Sequence, residues 1–178
     1  MLEPDIELIE PTEALAAEFV AYAEEFREAG EPYVHGGLDR VGGDVAVFVR
    51  RCRDDAAGRN LPEGRVAGST FWLVRGGRII GQVRLRHSLT ESLRKHGGHI
   101  GYEVRPSERR KGYASRMLAM ALHKARRMGL TRLLLTCDRG NAASRRVIQK
   151  NGGVFEDEVE AEGQVNRRYW IDIGASDG

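Results

Sequence analysis

Cysteine is scarce in this 178-residue chain, which has only Cys52 and Cys137. Two cysteines so far apart do not form a disulfide framework, and with no second Cys or His beside them they do not indicate a zinc site. We expect two free thiols and no metal. The sequence also lacks any apolar run near the roughly 20 residues that span a bilayer, and its acidic start lacks the basic flank of a secretory signal. We therefore expect a cytoplasmic protein with no membrane partner.

An excess of either charge is missing too, because 28 basic side chains face 26 acidic ones and the net charge is only +2. A general nucleic-acid-binding protein needs a clear cationic excess and aromatic residues among its basic ones, so the balance argues against a nucleic-acid partner. The distribution is more informative than the sum. Acids dominate residues 1–31, where Arg27 is the one base, and bases dominate a central stretch at Arg105, Arg109, Arg110, Lys111 and Arg116.

The apolar and charged fractions, 41% and 30%, are typical of one globular domain. Two β-rich runs at 70–74 and 79–87 flank an Arg-Gly-Gly-Arg turn and predict a hairpin. Apolar spacing predicts helices over 12–30, 46–58 and 113–128, and another that begins after Asn141. The other predicted elements are strands at 6–9, 99–104 and 130–137, loops at 31–43 and 90–98, and a final hairpin over 154–173. This order indicates an α/β (α+β) domain with helices on the faces of a sheet.

The stretch from Val104 to Ala114 carries the strongest chemical signal. A strand ends there in a basic turn that contains Gly112 and opens a helix. Free N–H groups at a helix start, the helix dipole and a nearby glycine together suit a phosphate, although a solvated basic surface turn has the same composition. No GxxxxGK(S/T) motif is present and no GxGxxG follows a strand, which argues against a P-loop nucleotide hydrolase and leaves a dinucleotide-binding fold without its fingerprint.

The run Arg109-Arg-Lys-Gly-Tyr-Ala114 resembles the (Q/R)xxGx(G/A) pyrophosphate loop of the GCN5-related N-acetyltransferases (GNAT). The run Leu133 to Cys137, followed by Asn141-Ala-Ala-Ser144 and by 150–155, resembles the same family's fifth strand, Asn-initiated helix and next strand. The resemblance extends from Phe71 to Ile173. It implies a GNAT fold, with a mixed sheet of about six to seven strands splayed between strands 4 and 5 and about four flanking helices. It also implies one N-acetyltransferase domain over 1–178, with acceptor-side helices in 1–66, an acetyl-CoA-binding core in 70–155 and a C-terminal hairpin in 154–173.

By this resemblance, acetyl-CoA lies between the splayed strands. The backbone of Tyr102 to Val104 would hold the pantetheine arm, and the Val104 N–H would polarise the thioester carbonyl. Asn141 and Ser144 would contact the pantetheine and position the sulfur, although Asn141 is equally well explained as a helix N-cap. The residues that would bind the pyrophosphate are Arg109, Arg110, Lys111, Gly112, Tyr113, Ala114 and Ser115.

The reaction implied is direct attack of a primary amine on the thioester. An alkylamine has a pKa near 10.4, so a base or a desolvating pocket must supply the free amine. Glu103 stands where family members often place a base, although strand alternation could also turn it away from the cleft. His87, His99 and Tyr102 are weaker candidates, because a histidine in a strand is more often packed than catalytic.

One position departs from the family pattern. Family members commonly have a tyrosine seven residues after the asparagine, where it protonates the departing thiolate, and here that position is Ile148. Either no acid is used, or Ser144, a water or a tyrosine from elsewhere replaces it. Cys137 could form an acyl intermediate, but a packed thiol is the favoured interpretation.

The acceptor side is the acidic half of the chain. The acids that could attract a cationic amine are Glu24, Glu25, Glu28, Glu31, Asp39, Asp44 and those of 156–162, beside His35 in the loop. They suggest a cationic small molecule or a Lys or N-terminal amine, unless they are only solvated faces. The main alternative for the whole chain is a catalytically silent acyl-CoA-binding or regulatory module. The resemblance also implies a homodimer.

Overall fold

The structure is a computed structural model that describes residues 6–31 and 37–174. Its seven strands form two antiparallel sheets. The first sheet has the order β1-β2-β3-β4, and the second has the order β5-β7-β6. The strands are β1 Ile6–Ile9, β2 Gly68–Arg75, β3 Arg78–Arg86, β4 Ile100–Val104, β5 Arg132–Asp138, β6 Val154–Ala161 and β7 Gln164–Asp172.

In the described ranges, five α-helices of at least five residues connect and cover these strands. They are α1 Ala16–Glu28, α2 Val45–Ala56, α3 Glu91–Lys95, α4 Tyr113–Arg127 and α5 Ala142–Lys150. Side-chain caps fix the starts of α2 and α5, because Asp44 Oδ1 accepts from the Val47 N–H (3.1 Å) and Asn141 Oδ1 accepts from the Ser144 N–H (2.9 Å). Such caps satisfy N–H groups that have no partner inside the helix.

Two hydrophobic clusters lie on opposite faces of the first sheet. Because side chains alternate along a strand, Phe71 and Leu73 pack in the cluster that includes α4, whereas Trp72 and Val74 pack in the cluster of α1 and α2. The first cluster also takes in β5 and β7, so α4 joins both sheets. The predicted fold class and its splayed strands are confirmed by this arrangement, although the seven strands form two antiparallel sheets rather than the one mixed sheet that was expected, because β4 and β5 share no ladder.

Hydrogen bonds join the two sheets where residues 97–99, just before β4, meet β5. The His99 N–H donates to the Leu134 carbonyl (2.7 Å), and His99 Nδ1 accepts from the Leu134 N–H (2.9 Å). Gly98 allows this approach, since a Cβ there would lie 2.4 Å from the Leu134 oxygen. Beyond this junction β4 and β5 belong to different sheets, so a gap opens between them.

Most predicted elements are confirmed, and the exceptions have local causes. The loop predicted over 90–98 contains α3, which begins because Thr90 Oγ1 accepts from the Leu93 N–H at 3.2 Å. The acids of 156–162 lie mostly in β6 rather than in a turn. Part of the predicted loop at 31–43, including His35, lies outside the described residues.

Within the described ranges, no helix is long and apolar enough to cross a membrane, and no group of three or more His, Cys, Asp or Glu is placed to hold a metal.

Candidate active site

The backbone of β4 presents two N–H groups to the gap. The Arg86 N–H donates to the His99 carbonyl and the Arg105 N–H donates to the Ile80 carbonyl, which fixes the alternation of the β3–β4 ladder. In an antiparallel pair, alternate residues direct their amides to the partner strand. Residues 99, 101, 103 and 105 therefore face β3, and the amides of Tyr102 and Val104 face away from it, towards the gap.

The side chain of Glu103 lies on the other side of β4. It accepts a hydrogen bond at Oε1 from Gln82 Nε2 (2.9 Å), and Gln82 Oε1 in turn accepts from the Trp72 indole N–H (2.9 Å). An indole N–H can only donate, so this chain fixes which end of the Gln82 amide meets the glutamate. Glu103 is half-buried, and partial removal of its carboxyl from water raises the pKa of Glu103 to about 8. Such a value suits a general base.

The start of α4 is open to an anion. Gly112 is its N-cap, with φ of +85°, and no side chain caps the free N–H groups of the first turn. Open space lies beside Gly112, since a Cβ there would meet nothing within 4 Å. A helix start with uncapped amides and a positive dipole binds phosphate groups readily.

Several side chains of this loop already have partners. Arg109 donates to both carboxylate oxygens of Glu31 (2.8 and 2.7 Å) and from Nε to the Val104 carbonyl (3.1 Å). Lys111 donates to Glu108 (2.9 Å), and Arg110 is exposed with φ of +63°. The backbone of this loop is therefore better placed for a ligand than the Arg109 side chain.

Two further residues of the predicted loop are held from within the fold. The buried Tyr113 hydroxyl accepts from Arg75, and Ser115 Oγ accepts from Asn151 Nδ2 at 3.1 Å. The second bond ties the start of α4 to the end of α5. Ala114 is half-buried against the core.

Two arginines that follow β4 form ion pairs with acids of α1 and of the turn just after it. We call this set the α1 clamp, and its members are Glu18, Glu25, Glu31, Arg105 and Arg109. Arg105, with only 4% of its side chain exposed, is bonded to Glu18 and to Glu25 (Nε to Oε1 2.7 Å). Burial acts to raise the pKa of Glu25, but hydrogen bonds from Arg105 and Ser107 outweigh it, and the pKa is lowered. Sequence reasoning placed Glu25 and Glu31 near the acceptor, did not single out Glu18, and did not predict that these acids pair with Arg105 and Arg109.

Tyr102 and Ser144 meet across the gap. The Tyr102 hydroxyl lies 2.8 Å from Ser144 Oγ, and Asn141 caps the helix that carries Ser144. Burial raises the pKa of Tyr102 to about 12, so the phenol stays protonated over the neutral range. Ile148, where the family pattern has a tyrosine, is buried in the core. Tyr102 of β4 therefore places a tyrosine hydroxyl against α5, the helix in which the family pattern has its own tyrosine.

The weaker candidates have structural surroundings. Burial lowers the pKa of His99 to about 4, in keeping with its Nδ1 acting as an acceptor at the sheet junction. His87 Nε2 lies 2.9 Å from Ser69 Oγ, and burial lowers its pKa as well. Cys52 and Cys137 are free thiols, and burial raises the pKa of both, so neither is an activated thiolate.

A cleft of about 860 Å³ adjoins Glu103, and we call it the arginine cleft. β3 and β4 form its floor, α2 and the loop at 62–66 form one wall, and the start of α3 closes another side. Glu103 and Gly101 lie on its floor because they share the face of β4 opposite Tyr102. Its charged lining residues are Arg40, Arg51, Arg65, Arg84, Arg86, Asp55, Glu63 and Glu103.

Comparison with known proteins agrees with this geometry. The sequence pattern of the Acetyltransferase (GNAT) domain family matches residues 44–154, more than half of the chain. The protein therefore belongs to the GNAT acetyltransferase family. No curated protein is similar enough in sequence to be matched.

Solved structures share the fold at low sequence identity. One is RimL, a ribosomal L7/L12 alpha-N-protein acetyltransferase in complex with coenzyme A disulfide-bonded to a cysteine (TM-score 0.68, 15% identity, 99% of this chain and 97% of that one). Another is the microcin C7 self-immunity acetyltransferase MccE with acetyl-CoA and AMP (0.65, 15%, 97% and 94%). A third is a spermidine N-acetyltransferase chimera of Vibrio cholerae SpeG and hSSAT (0.63, 16%, 94% and 94%). At these identities the likeness shows the fold alone.

Proposed function

We propose that this protein is an acetyl-CoA-dependent N-acetyltransferase that moves the acetyl group directly to a primary amine. The observation that carries the proposal is the division of β4: its amides at Tyr102 and Val104 face the gap, while the Glu103 side chain faces the arginine cleft. The same strand thus borders a place for the thioester and a place for the amine. Family membership and the bound coenzyme A or acetyl-CoA of RimL and MccE support the choice of donor.

The residues fit the acetyl donor at both ends. The open first turn of α4, from Gly112 to Ser115, suits the pyrophosphate through backbone N–H groups. The amides of Tyr102 and Val104 suit the pantetheine and the carbonyl oxygen. A backbone N–H aimed at a carbonyl oxygen stabilises the negative charge that develops there during attack. We assign this role to Val104.

Glu103 is the proposed general base. The amine nitrogen forms a bond to the carbonyl carbon, the bond between that carbon and sulfur breaks, and the nitrogen loses a proton. Oε1 of Glu103 is already held by Gln82, so Oε2 is the oxygen left to accept this proton. A raised pKa makes a carboxylate a stronger base near neutral pH.

Tyr102 and Ser144 are the proposed source of the proton that sulfur takes up. Ser144 Oγ and the Tyr102 hydroxyl are within hydrogen-bond distance at the edge of the gap, so one hydroxyl can donate while the other replaces its proton. This pair would supply the proton that a tyrosine supplies in other family members, since the corresponding residue here is Ile148. Buried Cys137 is assigned no covalent role, because its thiol pKa is raised.

The testing experiment follows thiol release from acetyl-CoA with a panel of primary amines. Glu103→Gln should lower kcat/KM by about a hundredfold or more, since it removes the proton acceptor and keeps a side chain of similar size. Coenzyme A affinity, measured by calorimetry, should not change. Glu160→Gln, at an exposed glutamate of β6, is the matched control and should behave as the wild type.

The alternative is a silent acyl-CoA-binding or regulatory module, for which the isoleucine at 148 is the chief argument. Coenzyme A binding without turnover on any amine would support that module and contradict the enzyme. Full activity in Glu103→Gln would leave the reaction in place but remove Glu103 as its base. A homodimer stays a prediction, which light scattering would test.

A further inference from the structure

We propose that the amine accepted by this protein carries an anionic group, a carboxylate or a phosphate, which the arginine cleft binds while Glu103 receives the amine. This inference rests on the proposed function, because it concerns the acceptor of that same reaction. It specifies that the acceptor carries a negative group and that this group lies some distance along the cleft from the reacting nitrogen.

The charge of the cleft is the first observation. Five guanidinium groups line it against three carboxyls, and Arg40, Arg51 and Arg65 make no ion pair with any described residue. Of the carboxyls, Asp55 is held by Arg84 (3.3 Å). Burial raises the pKa of Glu103, so near pH 7 this carboxyl is mostly neutral. The cleft is therefore positive, and arginine is the side chain best suited to bind carboxylate or phosphate oxygens.

The spacing along β3 is the second observation. Gln82, Arg84 and Arg86 share one face of the strand, and Gln82 holds the base Glu103. Arg84 lies two residues further along, about 7 Å from Gln82 at the usual rise of a strand. Arg84 Nε is buried and has no hydrogen-bond partner in the structure, which is unusual for a charged donor. Because 27% of the Arg84 side chain is exposed, an anion in the cleft could bind the accessible part of this guanidinium, whose hydrogen-bonding capacity is not filled within the fold.

The wall opposite β3 extends the same positive surface. Phe48, Arg51 and Asp55 occur at helical spacing on α2 and all line the cleft. Phe48 gives an apolar surface for a carbon chain, and Arg51 adds a second guanidinium. Arg86 has a different task, because its Nη1 donates to the carbonyls of Gly97 and Gly98 (3.2 and 3.0 Å).

Four of the acids that suggested a cationic acceptor are paired with arginines outside the cleft. Glu25 and Glu31 belong to the α1 clamp, and Asp157 and Glu158 of β6 pair across the hairpin with Arg168 and Arg167. None of these four lines the cleft. Long-range attraction of an amine by these carboxylates is therefore largely cancelled by their own partners.

The test separates recognition from reaction. Three amines of equal chain length, 6-aminohexanoate, hexylamine and 1,6-diaminohexane, are titrated by calorimetry into protein saturated with coenzyme A, where no acetyl group is present. The anionic amine should bind at least about tenfold more tightly than the other two, as expected for a charge-assisted hydrogen bond in a partly enclosed site. 4-Aminobutyl phosphate, of similar length, shows whether phosphate or carboxylate is preferred.

Two neighbouring arginines of α2 provide the variants. Arg51→Gln should weaken 6-aminohexanoate binding about fivefold and leave hexylamine unchanged, whereas Arg50→Gln, an exposed position outside the cleft, should change neither. Both positions are on the surface, so both variants should fold. Arg84→Gln should have the larger effect, with circular dichroism as the check on its fold.

The outcomes distinguish the two proposals. Preferential binding of the anionic amines without acetyl transfer would keep this inference and remove the proposed function. Transfer to hexylamine or 1,6-diaminohexane with equal or better binding than 6-aminohexanoate would do the reverse. No binding of any of the amines, or an equal loss in Arg50→Gln and Arg51→Gln, would also overturn the inference.

Discussion

Glu25 and Glu103 are glutamates whose surroundings have opposite effects. Glu25 is bonded to Arg105 and Ser107 in the α1 clamp, and these bonds lower its pKa in spite of its burial. Glu103 has an uncharged partner, Gln82, and burial raises its pKa to about 8. The arginines divide in the same way: those of the clamp are paired with acids, whereas Arg40, Arg51 and Arg65 of the cleft make no ion pair with any described residue.

This difference teaches where the molecule uses charge for stability and where it keeps charge for a ligand. A buried arginine with two carboxylates holds a helix in place. Arg40, Arg51 and Arg65 of the cleft are exposed and unpaired with described residues, so their charges are available to a ligand, and such groups occur at functional sites. Counting charges along the chain does not separate the two cases, because partners in the clamp lie about 80 residues apart in sequence.

The largest expected effect comes from breaking the clamp. Arg105→Gln should destabilise the fold by about 3 kcal/mol, because it leaves Glu18 and Glu25 without their buried cation. Urea unfolding measures this change. Arg27→Gln, at a half-exposed arginine that also pairs with two acids, should cost no more than about 0.5 kcal/mol. Equal losses in the two variants would remove the clamp as a stabilising unit.

The pH dependence of turnover sharpens the role of Glu103. A base must be deprotonated to act, and the pKa of Glu103 is about 8, so its active fraction grows as the pH rises to that value and then levels off. The free fraction of the amine also grows with pH, in the wild type and in Glu103→Gln alike. We therefore expect the ratio of their kcat/KM values to rise up to about pH 8 and then stay constant. A ratio independent of pH between 6 and 9 would contradict the assignment.

The smallest of the three effects concerns the opposite face of β4. Tyr102→Phe removes the hydroxyl that meets Ser144 and should lower kcat about tenfold, with coenzyme A affinity unchanged. The rate of thiol release from acetyl-CoA with a single saturating amine measures this loss. If base and acid act separately, the losses in Tyr102→Phe and Glu103→Gln should multiply in the double variant. A loss in KM alone would indicate that Tyr102 only positions substrate.

The secondary structure of the proposed cofactor side was predictable from the sequence, because its signals are local. A strand, a glycine turn and an amphipathic helix follow one another between Ile100 and Arg127, and the Asn141 cap is read from neighbouring residues. Which residues of β4 direct their amides towards β3 and which direct them towards the gap also follows from alternation, once the partner strand is known. The roles of individual side chains in this stretch stay predictions, and the bonds of Arg109 to Glu31 point to its backbone instead.

The cleft that we propose as the acceptor side was not predictable, because distant segments build it. Arg51 comes from α2, Arg65 from a loop and Arg84 from β3, and only folding brings them together. A local signal did exist at Gln82, Arg84 and Arg86, where a strand shows polar residues at every second position. α3 was missed for a different reason, since a helix of five residues offers too short a pattern.

The hydrogen-bonded chain from Trp72 through Gln82 to Glu103 gives the protein an internal optical reporter. Trp72 is fully buried, and its indole N–H is separated from the carboxyl by a single amide group. A negative charge arriving on Glu103 polarises that amide and hence the indole. The emission of Trp72, isolated by replacing the chain's other tryptophan with Trp170→Phe, should therefore follow the ionisation of the base directly, in the resting protein and without any substrate.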